Sequence, residues 1–441
     1  MHHVFVLVFC DAPLRRAKTM PFLCSALAAK LPFEHLRFLS SRMTGTNRLQ
    51  AAGELGAQSQ PFSKLVRKIM VLAGDDGFVL SHCRALLAAL GELAREVVVI
   101  TRASGRLGEI EQLGASVTDF DCRASLSNPA RDALAAWKLA RILEAEDADA
   151  IHVIGVRPAA LGSLALKLVA ARHIMVHLPD LDRLEPTTIL SRLYRPTPAR
   201  LITSLVRRPA SFLLLENPDD LTPLRARGIE PGARFAVLGG AGIDPDVYPV
   251  LPPSQSETPI AACVGRMVAS SGIDVLMRAF DRVWARGVHL QLELVGEHAA
   301  DGADAIPPAE IAQWGLHPGV RRTEPVTDVR EVWRRAEICL LPAVGSQGLP
   351  RALLEAAACG RALVVTDGAG GGSFVRDGVE GLLVPRGDAA ALAEALEHLA
   401  RDADLRARLG EAARLRVLQG FTEAHVRQAL KAAYLACLQA G

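Results

Sequence analysis

Gln347 and Glu355 stand eight residues apart in the stretch SQGLPRALLE, Ser346 to Glu355, with Gly348, Leu349 and Pro350 between them. The glycine lets backbone approach a ligand closely, and Pro350 suits the first turn of a helix that carries Glu355. Glu355 falls among Leu353, Leu354 and three alanines, where a carboxylate is costly unless it meets hydrogen-bond donors. The paired hydroxyls of a ribose are such donors. An exposed glutamate on a helix face is the alternative reading.

Two further loops have the same order of strand, glycine and helix. In VLAGDDGFVLSH, Gly74 and Gly77 frame Asp75 and Asp76, and His82 follows in the helix. Backbone N–H groups at such a helix start can hold an anion or the polar edge of a sugar. GxGxxG is absent, so this is no dinucleotide fingerprint, and an ordinary tight turn is the plainer reading. In CVGRMVASSGID, Gly265 and Arg266 end a strand, and Ser270 or Ser271 is placed to cap the next helix. Arginine's planar fork donates in pairs to phosphate oxygens, which suits a diphosphate; a solvated surface arginine is the alternative. LGGAGID, Leu238–Asp244, reads as a glycine-rich hinge.

Alternating strands and helices must position these loops. KIMVLA, EVVVITR, ASVTDF, DAIHVIG and HIMVHLP read as strands, with FVLSHCRALLAALGEL, PARDALAAWKLARILEAE and PAALGSLALKLVAA as helices among them. SFLLLEN and RFAVLGGAG close this first domain. VYPVLPPSQSETP, rich in proline and serine, has the composition of a linker. The rhythm then restarts with IAACVGR, LQLELVG, ICLLPA and ALVVTD, and GLLVPRGDAAALAEALEHLARD ends in a helix that Asp388 caps. The pattern predicts an α/β fold of two tandem Rossmann-like doubly wound domains facing a central cleft. The expected divisions are an uncertain N-terminal extension over 1–67, a first domain over 68–246, a linker over 247–258 and a second domain over 259–420. Residues 421–441 are expected to form a helix that packs back on the first domain.

A chain of 441 residues exceeds one ordinary core and suits two domains of roughly 150–200 residues. A net charge of +2 gives no electrostatic case for nucleic acid. The eight cysteines are scattered without a CxxC pair, which predicts neither disulfides nor a metal site and fits a reducing compartment. No apolar run is long enough to span a bilayer. The first sixty residues are basic, rich in Ser and Leu and poor in acids, and superficially resemble a transit peptide. A poorly ordered extension or an overlong translation start is the plainer reading.

At these loops the sequence resembles a family-4 retaining glycosyltransferase of the GT-B fold, over approximately Lys68 to Leu438. QGLPRALLEAAACGRALVVTD and VRDGVEGLLVPRGD follow that family's donor-domain pattern. DDGFVLSH, HVIGVRPAALGSLA, LENPDD and GAGID resemble its subgroup acting in bacterial capsule, O-antigen and exopolysaccharide assembly. The resemblance implies retaining, metal-independent transfer of a sugar from a UDP- or GDP-linked donor to a saccharide acceptor, often lipid-linked. No cofactor, metal or nucleic acid is implied beyond the nucleotide-sugar substrate. Arg266 matches the arginine on the diphosphate, Glu355 the acid on the ribose, and Gln347 the place of the acid that meets the donor sugar. Gly265, Ser271, Gly348, Leu349 and Ser373 complete the expected donor set. Asp75, Asp76 and His82 match the acceptor-side loop, with His152, Arg157 and His177 at strand ends or loops facing the same cleft. Gln347, His177 and Asp76 are the catalytic candidates. Each of these histidines has a plainer reading as a packed or capping residue.

Several expected polar positions are replaced together. Ser271 stands where the family has lysine, Ser346 where a basic residue is common, Gln347 for the acid, and Gly372 and Ser373 for Arg and Glu. This leaves a second class of function open, a catalytically weak or non-catalytic relative that binds a sugar nucleotide or a pathway partner. Interconversion of free sugar nucleotides by an epimerase on a similar fold is a third. LSRLYRPTPARLITSLVRRP, Leu190–Pro209, mixes five arginines with apolar residues and suits peripheral contact with an anionic inner leaflet. The expected location is cytoplasmic, at or near the inner face of the plasma membrane; a solvated helix face is the alternative for that stretch.

Overall fold

The computed structural model describes residues 64–124, 128–179, 181, 198–230, 234–298, 304–345, 348–368 and 370–439. Gln347, Ser346, the N-terminal stretch through residue 63 and residues 190–197 of the basic segment lie outside them. Both sheets belong to one compact unit, formed chiefly by Val66–Gly441.

Among the described residues, the first sheet is parallel and contains β1 (Val66–Asp75), β2 (Ala94–Arg102), β3 (Ser116–Asp119), β4 (Ala150–Ile154), β5 (His173–Leu178), β6 (Ser211–Leu215) and β7 (Phe235–Val237). Their spatial order is β3-β2-β1-β4-β5-β6-β7. The second, also parallel, contains β8 (Ile260–Val264), β9 (Gln291–Val295), β10 (Val320–Thr323), β11 (Ile338–Leu341), β12 (Ala362–Thr366) and β13 (Gly381–Val384), in the order β10-β9-β8-β11-β12-β13. This is the expected pair of Rossmann-like domains. Both strand faces are covered, so the strands read as continuous apolar runs. In β1, Met70 and Leu72 enter one core while Ile69, Val71 and Ala73 enter the opposite one.

Strand order reverses beside β1 in the first sheet and beside β8 in the second. Loops leaving the strands there cannot cover one another, which opens a crevice at their carboxyl ends. Gly74, Asp75 and Gly155 stand at the first crevice, Gly265, Arg266 and Pro342 at the second.

Three local expectations change. FVLSHCRALLAALGEL forms two helices, Asp76–His82 and Arg84–Leu93, because Cys83 leaves helical geometry at φ −108°, ψ 12°. Neither Ser270 nor Ser271 caps the helix Ile273–Ala285; the cap position is the left-handed Gly272, φ 70°. A Cβ there would fall 2.0 Å from the Pro342 carbonyl oxygen, so sterics as well as backbone conformation demand glycine. The Pro/Ser-rich segment after Asp246 is strapped to the second domain. Tyr248 O accepts from Arg414 Nη1 at 2.6 Å, Pro252 O from Arg361 Nη2 at 2.9 Å, and Leu251 N donates to Cys359 O at 3.2 Å. Asp388 does cap its helix, accepting from Ala390 N and Ala391 N.

The last helix, Glu423–Gln439, buries Val426, Leu430, Ala433 and Tyr434 in the core under the first sheet. Its side chains complete a face that β1, β2 and the helix Arg84–Leu93 leave open. In the described part of the basic segment, the helix Pro198–Val206 spends Leu201, Ile202, Leu205 and Val206 on the first domain's core. Those apolar groups are therefore not offered to a bilayer. Among the described residues no helix is long and apolar enough to cross a membrane.

Candidate functional site

A cavity of about 500 Å³ lies between the carboxyl ends of the two sheets. Asp75, His82 and Arg157 line it from the first domain; Gly265, Arg266, Ser271 and Leu349 line it from the second. Seven predicted residues, distant in sequence, thus meet in one space. Arg123, Glu216 and Arg351 also line it and were not predicted.

Asp75 begins the acceptor-side loop. Its Oδ1 accepts from Phe78 N at 2.9 Å, fixing the helix Asp76–His82. His82 lies at the end of that helix, its ring stacked on Phe78 at 4.8 Å and its Nδ1 2.7 Å from Ser81 Oγ. Burial holds the His82 imidazole below the usual histidine range, so it faces the cavity neutral at neutral pH. Asp76 is different. It is fully buried, and Ser104 N at 2.7 Å, Arg106 N at 3.1 Å and Ser104 Oγ all donate to it. Burial alone would raise its pKa, yet these donors hold the carboxyl below the usual range. A carboxylate so satisfied anchors the 103–106 loop rather than facing the cavity.

His152 and His177 are neighbours on β4 and β5, their rings edge-on at 5.6 Å. His152 is fully buried, and its Nδ1 lies 2.7 Å from the Tyr434 hydroxyl of the last helix. Burial, with His177 adding to it, pushes the His152 imidazole well below its ordinary value. His152 therefore tethers the C-terminal helix and does not line the cavity. His177 Nε2 faces Glu216 Oε1 at 3.5 Å, one layer behind the cavity wall. Arg157 Nε donates to Ala124 O at 3.0 Å.

On the second domain, the Arg266 guanidinium is exposed and makes no ion pair among the described residues. Ser271, where a lysine was expected, donates its hydroxyl to Arg266 O at 3.0 Å and so stiffens the arginine's own loop. Gly348 has φ 62°, and a Cβ there would lie 2.0 Å from Pro179 O of the first domain. Only glycine admits this approach of the two domains. Ser373 lies away from the cavity, half-buried, its carbonyl accepting from Arg416 Nη2 at 3.1 Å.

Glu355 is buried, and its hydrogen-bond donors are internal. Tyr248 OH donates to Oε1 at 3.0 Å and Arg351 Nε at 2.9 Å. Arg351 Nη1 reaches across the cleft to Ser81 O at 2.6 Å. Burial opposes its charge, but Glu355 and Tyr248 raise the Arg351 pKa; burial and Glu355 push the Tyr248 hydroxyl up to about 12. A ribose entering at Glu355 must share or displace these partners.

Comparison with known proteins matches both domains. Residues 79–239 match a family model described as "Glycosyl transferase 4-like domain", and residues 258–402 one described as "Glycosyl transferases group 1". The D-inositol 3-phosphate glycosyltransferase of Nocardia farcinica is 32% identical over 226 residues, 50% of this chain and 46% of that protein. The capsular polysaccharide biosynthesis glycosyltransferase CapM of Staphylococcus aureus is 26% identical over 171 residues, 39% of this chain and 44% of that protein. The chain spans about half the length, or less, of the curated relatives it matches. Among solved structures, Anabaena HepE in complex with UDP-glucose superposes with a TM-score of 0.66 at 19% identity, over 84% of this chain and 99% of that one. Two Rossmann-like domains enclosing a cleft, with these two family models on them, define the class. The chain belongs to the GT-B glycosyltransferases.

Proposed function

We propose that the protein is a retaining glycosyltransferase that moves a sugar from a UDP- or GDP-linked donor to a lipid-linked saccharide acceptor in bacterial surface polysaccharide synthesis, without a metal. The observation that carries this reading is the shared cavity, lined by Gly265 and Arg266 on one side and by Asp75, His82 and Arg157 on the other. An uncommitted guanidinium beside a strand-end glycine is suited to a diphosphate, whose negative charge grows as the donor bond breaks. Glu355 does not itself line the cavity, but its partner Arg351 does, and we read the pair as the group that orients the ribose. The sugar lies toward the first domain, and the acceptor hydroxyl approaches past Asp75 and His82. Its proton can leave on the departing phosphate, so no strong protein base is required.

One observation favours a second reading, a relative that binds the donor without turning it over. Ser271 is engaged with its own loop where a cation was expected, and Gln347 replaces an acid. Losing one well-placed transition-state contact costs about 10²–10³ in rate. Calorimetry with a panel of UDP- and GDP-sugars, followed by donor hydrolysis and transfer assays, separates the two. Tight binding with turnover is the expected result. Binding without turnover, restored by Gln347→Glu with Ser271→Lys, rejects the catalytic reading.

A further inference from the structure

Arg123, Arg157, Arg266 and Arg351 line the cavity with two carboxylates, Asp75 and Glu216. Of the cavity's arginines, Arg123 is paired with Asp121 at 2.8 Å and Arg351 with Glu355 at 2.9 Å. Asp75 caps a helix. Glu216 is 6% exposed and its side chain accepts no hydrogen bond among the described residues; His177 Nε2 lies 3.5 Å from its Oε1. A carboxylate on the cavity wall whose side chain accepts no hydrogen bond keeps its lone pairs for whatever binds there.

The surroundings hold Glu216 in place. Its carbonyl oxygen accepts from Gly239 N and Gly240 N, both at 3.1 Å, at the end of β6. The next residue, Asn217, donates Nδ2 to Gly370 O of the second domain at 3.0 Å. Glu216 Oε2 lies 3.7 Å from where a Gly348 Cβ would stand, so the carboxylate sits against the loop that follows Gln347. The second domain carries an amide at 347, and the first domain brings a carboxylate to the adjoining position from across the cleft.

We propose that Glu216 is the carboxylate of the reacting centre, facing the anomeric carbon of the donor sugar and stabilising the positive charge that develops there. The proposal rests on the glycosyltransferase reading. In the step, the bond from the anomeric carbon to the diphosphate oxygen breaks and its electron pair leaves with the diphosphate. The acceptor oxygen, or water in hydrolysis, bonds to that carbon, and its proton passes to the departing phosphate. Glu216 forms no bond and keeps its charge, which favours the cationic transition state over the neutral donor.

The test uses the full chain and the tightest-binding member of the UDP- and GDP-sugar panel. Glu216→Gln keeps shape and removes charge. It is expected to lower kcat for donor hydrolysis by about 10²–10³, with donor Kd by calorimetry within about threefold and thermal stability not reduced. Glu216→Ala is expected to recover at least tenfold in kcat on addition of formate, which a purely structural role would not produce. Glu216→Gln turning over as fast as wild type overturns the assignment alone, as does failure of formate to restore Glu216→Ala. A wild-type chain that binds donor without turnover overturns it too. One that binds no member of the panel overturns the glycosyltransferase reading, and this one with it.

Discussion

At the scale of single residues, the loops most legible in the sequence were those where a glycine ends a strand and a helix follows. Gly265, Arg266, Asp75 and His82 all reached the cavity because local chain geometry, which the sequence signals, put them there. Glu216 and Tyr248 were not legible. Glu216 closes the apolar run SFLLL, and its meaning comes from Gly348, more than a hundred residues away. A charged residue at the end of a fully buried strand was the available signal. Tyr248 sits in a stretch whose proline and serine content reads as linker, yet its hydroxyl satisfies Glu355. That contact separates structure from binding. Tyr248→Phe removes one donor from a buried carboxylate and should cost about 1.5–3 kcal/mol in urea unfolding. It should leave donor affinity unchanged or tighter, because Glu355 then has a lone pair to offer. Glu355→Gln should instead weaken donor binding at least tenfold by calorimetry. A Tyr248→Phe variant that weakens donor binding as much would show that Glu355 serves the linker and not the ribose.

At the scale of elements, the strands were read with their approximate limits because buried parallel strands are continuous apolar runs. The role of the last helix needed the fold, since its periodicity shows an apolar stripe without saying which sheet receives it. Its polar tether, Tyr434 to His152, lies in the core and makes the contact sensitive to acid. Burial depresses the pKa of both His152 and His82 in the folded chain. Below the unfolded value near 6.5 the unfolded chain binds protons that the folded chain refuses, so stability is present above that pH and lost as pH falls toward the folded values. The midpoint of thermal unfolding should therefore drop between pH 7 and 5.5, before carboxylates titrate. In His152→Asn the starting midpoint should be lower and the drop distinctly smaller. Equal drops in the two proteins would place the acid sensitivity elsewhere. Tyr434→Phe leaves His152 Nδ1 without its partner and should cost about 1–3 kcal/mol at neutral pH.

At the scale of the whole molecule, specific contacts among the described residues join the two domains. Asn217 reaches Gly370, Arg351 reaches Ser81, and Gly348 lies against Pro179. Closure of such a cleft excludes water and completes the site, so residues that set the approach distance act on turnover without touching substrate. Gly348→Ala tests this. At φ 62° an added Cβ is strained by about 1–2 kcal/mol, and at 2.0 Å from the Pro179 oxygen it cannot be accommodated without moving one domain from the other. Neither core is touched, so hydrogen exchange in β1 and β8 should match wild type. Exchange of the backbone amides at Gly239 and Gly240, which anchor Glu216, should rise with that of the loop at Gly370. Donor hydrolysis should fall at least tenfold, and by more than donor affinity falls. If exchange at these loops and the rate both stay at wild-type values, the close approach at Gly348 is a feature of packing with no part in assembling the site.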